Sequence, residues 1–448
     1  MHHHQPPSAT STSAAVPSLY ILLGTALFSV LLVLSLTTAP TPPPASIQPH
    51  PSLFPHRLFI HDGENTTSAA GESQRPPPAP SLAYFISGSA KDSGRVVRLL
   101  HAIYHPRNHY LLHLDTSASQ ADRDALAVTV QSVPIFKAAQ NVHVIGKASN
   151  VLSGGPSDLS STLHGASVLL HLSANWDWFI NLSAADYPLI TQDALFLARV
   201  VYFLTYLHLC LHYLFSPNDL LHVLSYLPKD LNFVNYTGYI GWRESRKLKP
   251  IVVDQALFLA ENSEMFFATQ KRPLPDAYRL FTGSSSAILS RKFIEYCIMG
   301  TDNLPRTLLM YLSNTPTSSS VYFPTVLCNT PRFNRTTFNL SLRHLSLDSR
   351  QRPRFLNSTD FDSVIESGNA FAGPFHPDDP ILYHLDRVIL GRDSGKTVPG
   401  GWCLGESRED RCNIWGDADV LRPGPGATRL EARFVRALSS ETGRCVEE

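Results

Sequence analysis

Between Leu82 and Leu114 two short apolar runs flank a stretch with apolar residues at helical spacing, and no other feature narrows the possible folds so far. Leu82-Ala-Tyr-Phe-Ile86 is continuously apolar and Tyr110–Leu114 nearly so, as strands covered on both faces must be. Ser93–Tyr104, between them, repeats apolar residues every three or four positions. Strand, helix and strand in that order read as a crossover joining parallel neighbours. A third strand is predicted at Val142–Ile145, then a helix from Asp158 through Leu172 with Leu159, Leu163, Ala166 and Leu170 on one face, then a strand at Trp178–Leu182. The expected fold is α/β: a mostly parallel sheet with helices on both faces.

Ligands of such sheets lie beyond the carboxyl ends of the strands. The candidates there are Ser87, Gly88 and Ser89, then Asp115, Gly146, Lys147 and Asp186. Glycine beside serine lets the backbone approach a ligand, and strand-end carboxylates accept hydrogen bonds from a ribose or a base. Capping of the following turns is the other reading of Asp115 and Asp186.

No Asp, Glu, Lys or Arg precedes Arg57, and within that stretch Leu19–Leu36 is an uncharged, Leu-rich run long enough to span hydrocarbon. A cleaved signal peptide has a shorter apolar stretch and a positive start, which is absent here, so the run is expected to be a membrane anchor behind a short cytosolic tail, 1–18. The Pro/Ser/Thr-rich tract that follows, 37–80, carries two proline triplets and is expected to be an extended stem. Lys plus Arg equals Asp plus Glu at 37 each, so no field able to gather nucleic acid is implied and any anion site must be local.

Six Asn-x-Ser/Thr sequons together favour a lumenal face: Asn65, Asn235, Asn334, Asn339 and Asn357 as glycan acceptors, with Asn181 in a strand expected to be buried. In an oxidising lumen Cys403 with Cys412, close enough to close a small loop, and Cys297 with Cys328 are disulfide candidates; buried free thiols are the alternative for the second pair. No pair of cysteines has the spacing of a metal site.

The segments Ala83–Ser89, Leu99–Asn108, Tyr110–Asp115, Trp176–Leu189, Leu280–Ser284, Asn303–Tyr311, Pro399–Cys403 and Trp415–Asp417 resemble the plant branch of the core-2/I-branching family, the plant β-glucuronosyltransferases included. The resemblance runs from Ser81 to Glu431, leaving 432–448 as a tail. It implies a GT-A-like fold, a UDP-sugar donor, inverting transfer to a β-linked glycan and no metal cofactor, in a type II protein of the Golgi membrane. Glucuronic acid moved to galactan chains of cell-wall proteoglycans is the first expectation; transfer of N-acetylglucosamine or xylose, or a catalytically weak protein that binds glycan or donor, are the others.

Without a metal, side-chain cations must neutralise the diphosphate, and the planar fork of arginine suits phosphate. Arg350, Arg352 and Arg354 fall where the family places a phosphate-binding arginine. The Asp-x-Asp pairs Asp360/Asp362 and Asp417/Asp419 do not follow an apolar strand, as a manganese-binding pair on this fold would. Inverting transfer also needs a general base. The family's glutamate falls on Ser320 and its phosphate-binding lysine on Pro374, so either another carboxylate serves, with Glu244, Asp254 and Asp302 as unranked candidates, or the protein binds glycan or donor without efficient transfer. Gly283, Ser284 and Trp242 are candidates for the acceptor side, although packing is the commoner fate of tryptophan.

One segment interrupts the resemblance. Thr191-Gln-Asp193 followed directly by Asp219–Leu227 would read as one helix start, yet Ala194–Asn218, apolar but for Arg199 and a few polar residues, stands between the halves. A second membrane span there would put Asp186 and Gly283 on opposite sides of the bilayer, so the segment reads as an aberrant insertion.

Overall fold

The computed structural model describes residues 79–193, 220–258, 264–349, 352–405, 411–419, 421, 427–439 and 445. The expected anchor at 19–36, the stem up to residue 78, Asn65 and Ala194–Asn218 lie outside them. Among the described residues no helix is long and apolar enough to cross a membrane.

The four expected strands form and pair in parallel: β1 (Leu82–Gly88) with β2 (His109–Leu114) on one side and β4 (Trp178–Ser183) on the other, and β2 with β3 (Val142–Val144). Three shorter strands complete a seven-stranded sheet, β5 (Asn232–Phe233), β6 (Ile288–Ser290) and β7 (Thr337–Phe338), in the order β7-β5-β6-β4-β1-β2-β3. Only β6 runs antiparallel, against both β4 and β5. Because side chains alternate along a strand, Ala83, Phe85, Leu111 and Phe179 share one face. That face meets helix α2 (Pro156–Leu172) through the stripe read from the sequence, Leu159, Leu163, Ala166 and Leu170, all buried. Gly165 lets α2 come close: a Cβ there would lie 2.4 Å from the Phe85 ring. The opposite face carries Tyr84 and Tyr110, stacked at 5.4 Å, with Tyr104 beyond them at the end of α1 (Ser93–Ile103).

Helices α3 (Arg291–Met299) and α4 (Ser319–Asn329) close the first face, their Phe293 and Phe323 rings meeting at 6.2 Å. The last helix, α5 (Ala427–Ser439), runs through the expected domain limit at Glu431 and sets Phe434, fully buried, edge-on against Phe233 at 4.8 Å. Beyond it Cys445 is bonded to Cys328. This corrects the expected Cys297–Cys328 pair: Cys328, at the far end of α4, is taken by the returning C-terminal segment, and Cys297 is a free thiol on α3 packed against the core, next to Tyr322. The short-range pair Cys403–Cys412 is bonded as expected.

The residues that flank 194–219 are locked together. Gln192 accepts hydrogen bonds from Tyr84 (2.8 Å) and Asn108 (3.1 Å), and the Leu220 and Leu221 amides donate to the carbonyls of Thr191 (3.0 Å) and Gln192 (3.2 Å). If Asp193 ran straight into Asp219, those two bonds would be consecutive i to i−4 bonds of one helix.

Candidate active site

Two adjoining clefts open at the carboxyl edge of the sheet. The first, about 330 Å³, is lined by Ser87 and Gly88 from the end of β1, Asp115 from beyond β2, Asp186 from beyond β4, Asp158 and Thr162 from the first turns of α2, and Ser319 from α4. The second, about 670 Å³, is lined by Asn235, Gly283, Ser284, Ser320 and His344, among others. Arg343 lines both.

A small sheet brings Arg343 there. Arg343–His344 pairs in parallel with Phe371–Ala372, which pairs antiparallel with Tyr187–Pro188. That arrangement sets the Arg343 guanidinium 2.5 Å from the Asp186 carboxylate, with Ser286 Oγ at 3.3 Å. Asp186 also accepts from the Ser183 amide at 2.9 Å. Burial pushes the Asp186 carboxyl up, against the pull of Arg343. Arg343 Nε is buried and has no hydrogen-bond partner among the described residues. A cation with an unused donor at the junction of two clefts is suited to an anionic group shared between them.

The described candidates read from the sequence fall into two groups. Ser87, Gly88, Asp115 and Asp186 come together in the first cleft, and Gly283, Ser284 and Ser320 in the second. Asp115 also caps its turn, accepting from the Ser117 amide at 2.9 Å and from the Ser117 hydroxyl. Gly283 is required by a close approach: a Cβ there would lie 1.8 Å from the Asn235 carbonyl oxygen.

The other described candidates stand apart from both clefts. Arg352 is bound to Asp348 and Arg354 to Asp360, each by a carboxylate close in sequence, and Arg350 lies outside the described residues. Asp254 is fully buried and caps the entry to α2, accepting from the Ser157 (2.8 Å) and Ala256 (3.0 Å) amides, so its oxygens are committed to backbone. Asp302 precedes the helix Asn303–Leu312 at the surface, and Trp242 is 69% exposed with the Arg246 guanidinium over its ring. The Glu244 side chain lies outside the described residues. At the position of the family lysine, Pro374 supplies only its carbonyl, to the Leu356 amide.

Of the sequons, Asn235, Asn339 and Asn357 are exposed and Asn334 half-buried. Asn339 spends its side chain on the Tyr236 backbone, and the Asn181 amide donates to the Ser285 carbonyl.

Two site residues went unread in the sequence, Arg343 and Asp158. Asp158 was legible only as an acid in the first turn of a helix. The usable signal was that α2 starts at the carboxyl edge of the sheet, so a polar side chain on its first turn faces the ligand crevice. Nothing local marks Arg343, whose two-residue strand has no periodicity.

A family model described as Core-2/I-Branching enzyme matches residues 82–198 and 202–362. Beta-glucuronosyltransferase GlcAT14A of Arabidopsis thaliana is 42% identical over 424 residues, spanning 92% of this chain and 89% of that protein. GlcAT14B of the same plant, also a beta-glucuronosyltransferase, is 43% identical over 81% of this chain and 79% of its own length. Xylosyltransferase 1 of Rattus norvegicus is 30% identical over 57% of this chain and 27% of that protein.

Proposed function

This chain belongs to the Core-2/I-Branching enzyme family and is a glycosyltransferase, and we propose that it moves glucuronic acid from UDP-glucuronic acid to β-galactan chains of proteoglycans, with inversion and without a metal ion. The observation that carries the reading is the meeting of two clefts at one guanidinium, Arg343. On this reading the first cleft, at the carboxyl edge of a GT-A-like sheet, takes the donor. Ser87, Gly88 and Asp115 face its nucleoside, and Asp186 holds Arg343 toward the diphosphate. The larger second cleft takes the acceptor, its wall formed by Gly283, Ser284 and Ser320.

Transfer is a single displacement: an acceptor hydroxyl attacks the anomeric carbon, the bond to the diphosphate oxygen breaks, and UDP leaves carrying the electron pair. Negative charge grows on that oxygen as the bond breaks, so a cation held at the junction before reaction stabilises the transition state more than the ground state. On the same reading the catalytic domain is lumenal, in the Golgi, behind the run at Leu19–Leu36; the sequons and disulfides support it.

The test is transfer of labelled glucuronic acid from UDP-glucuronic acid to β-galacto-oligosaccharides by the detergent-solubilised full chain, with and without EDTA. UDP-xylose and UDP-N-acetylglucosamine serve as competing donors. Glucuronosyl transfer that survives EDTA is expected. Preference for either other donor would overturn the donor assignment, and loss with EDTA would overturn the role given to Arg343.

A further inference from the structure

An attacking hydroxyl must lose its proton, and among the described residues that line the second cleft none is Asp or Glu. Ser320, where the family's base falls, carries only a hydroxyl. The first cleft is lined by four acids, and three of them are already committed. Asp92 is bound to Arg95 and to Ser89, Asp115 to Ser117, and Asp186 to Arg343 and the Ser183 amide. The fourth, Asp158, lines the same cleft as Ser319, whose hydroxyl favours its charged form, and no cation or backbone amide is paired with its carboxylate among the described residues.

Ser319 lies in the first cleft and its neighbour Ser320, where the family carries its glutamate, in the second, so Asp158, which shares the first cleft with Ser319, stands on the donor side of the wall that α4 forms between the two clefts. We propose that Asp158 is the catalytic base, and that this chain carries on the first turn of α2 the carboxylate it lacks on α4. The proposal rests on the glycosyltransfer reading above. In the reaction the acceptor O–H gives its proton to an Asp158 carboxylate oxygen as its oxygen bonds to the anomeric carbon, while the anomeric carbon–phosphate oxygen bond breaks and UDP leaves. Asp158 then holds the proton until product release. Ser319 donates to the other carboxylate oxygen and orients the group. Burial supports the assignment independently, since it holds the Asp158 carboxyl above the usual carboxylate range and so makes the carboxylate a stronger proton acceptor.

The experiment compares the full chain with Asp158→Asn, reading kcat, donor KM and UDP affinity. Asp158→Asn is expected to lower kcat by about a hundredfold or more, with UDP affinity within twofold of wild type. Adding Ser320→Glu to Asp158→Asn is expected to recover at least tenfold, because it returns a carboxylate to the adjacent residue. A double variant no better than the single one would assign Asp158 to holding Ser319 and overturn the proposal. So would Asp158→Asn turnover within threefold of wild type, or equal losses of turnover and UDP affinity. Loss of turnover in His344→Gln with Asp158→Asn unaffected would move the base to that imidazole. Should Asp158→Asn not fold, Asp158→Glu, which displaces the carboxyl by one methylene, is expected to lower kcat while keeping donor KM; unchanged kcat would overturn the assignment. A wild-type chain that transfers none of the three sugars removes the reaction and the base together, whereas an active wild type matched by Asp158→Asn removes the base alone.

Discussion

Replacing Arg343 with methionine keeps much of its aliphatic length and removes the charge. What remains is Asp186, whose side chain is 1% exposed and whose other partner is the Ser183 amide. A buried carboxylate stripped of its cation costs about 3–5 kcal/mol. The direct attraction gives a similar size, since unit charges about 4 Å apart attract by about 4 kcal/mol at an effective dielectric of about 20. Asp186→Asn is milder. The Arg343 side chain, 17% exposed, keeps Ser286 and gains water in the open cleft, so a loss of about 1–3 kcal/mol is expected. The double variant should therefore cost at least about 2 kcal/mol less than the sum of the singles. Urea unfolding of the detergent-solubilised chain measures all four corners of the cycle. Calorimetry on the same samples should show UDP affinity falling about ten- to a hundredfold in Arg343→Met, the worth of a charge-assisted hydrogen bond. Additive single variants, or an Arg343→Met cost below about 1 kcal/mol, would show a solvated pair and refute the idea that Asp186 holds the guanidinium at the junction.

Gly283→Ala drives a methyl group into the Asn235 carbonyl; a loss of about 1–3 kcal/mol is expected from displaced backbone, with acceptor KM raised and donor KM unchanged in steady-state kinetics. Cys445→Ser opens a bond closing 117 residues of chain, and its urea midpoint should report a loss of up to about 5 kcal/mol, the chain entropy of a loop that long. Burial lowers His101 and His113 to about 4 and His105 to about 3, so all three are neutral in the fold. The unfolded chain takes up their protons first, so stability should fall as pH drops from about 6.5 toward 4, by up to about 1.4 kcal/mol per pH unit for each imidazole; unfolding midpoints that stay flat over this window would contradict it.

The parallel half of the sheet was legible because each of its strands carries its own signature. Leu82–Ile86 is apolar throughout, Trp178–Leu182 is apolar but for Asn181, and the stripe on α2 names its own face. Placing Ser87, Gly88, Asp115 and Asp186 together needed only the rule about carboxyl ends. Arg343 and the residues around it obeyed no local pattern: they are held by two-residue strands joining Tyr187, Arg343 and Phe371, which are far apart in sequence. The arginines at 352 and 354 mislead for the opposite reason: their carboxylate partners, Asp348 and Asp360, lie within six residues in the sequence and pair with them locally. Cysteine pairing depended on where the C-terminal segment returns, and α5, crossing Glu431, lay partly beyond the resemblance that set the expected limit.

The two hydrogen bonds from Leu220 and Leu221 to Thr191 and Gln192 also bear on how quickly this part of the molecule can assemble. A helical turn is ordinarily the most local of contacts and forms first. Here its two halves are separated by the 26 residues from 194 to 219, so closing it costs about 3 kcal/mol of chain entropy that an uninterrupted turn would not meet. The turn therefore behaves in folding as a long-range contact. Tyr84 and Asn108 hold Gln192 on the sheet, and a chain lacking residues 194–218 should reach the same structure faster.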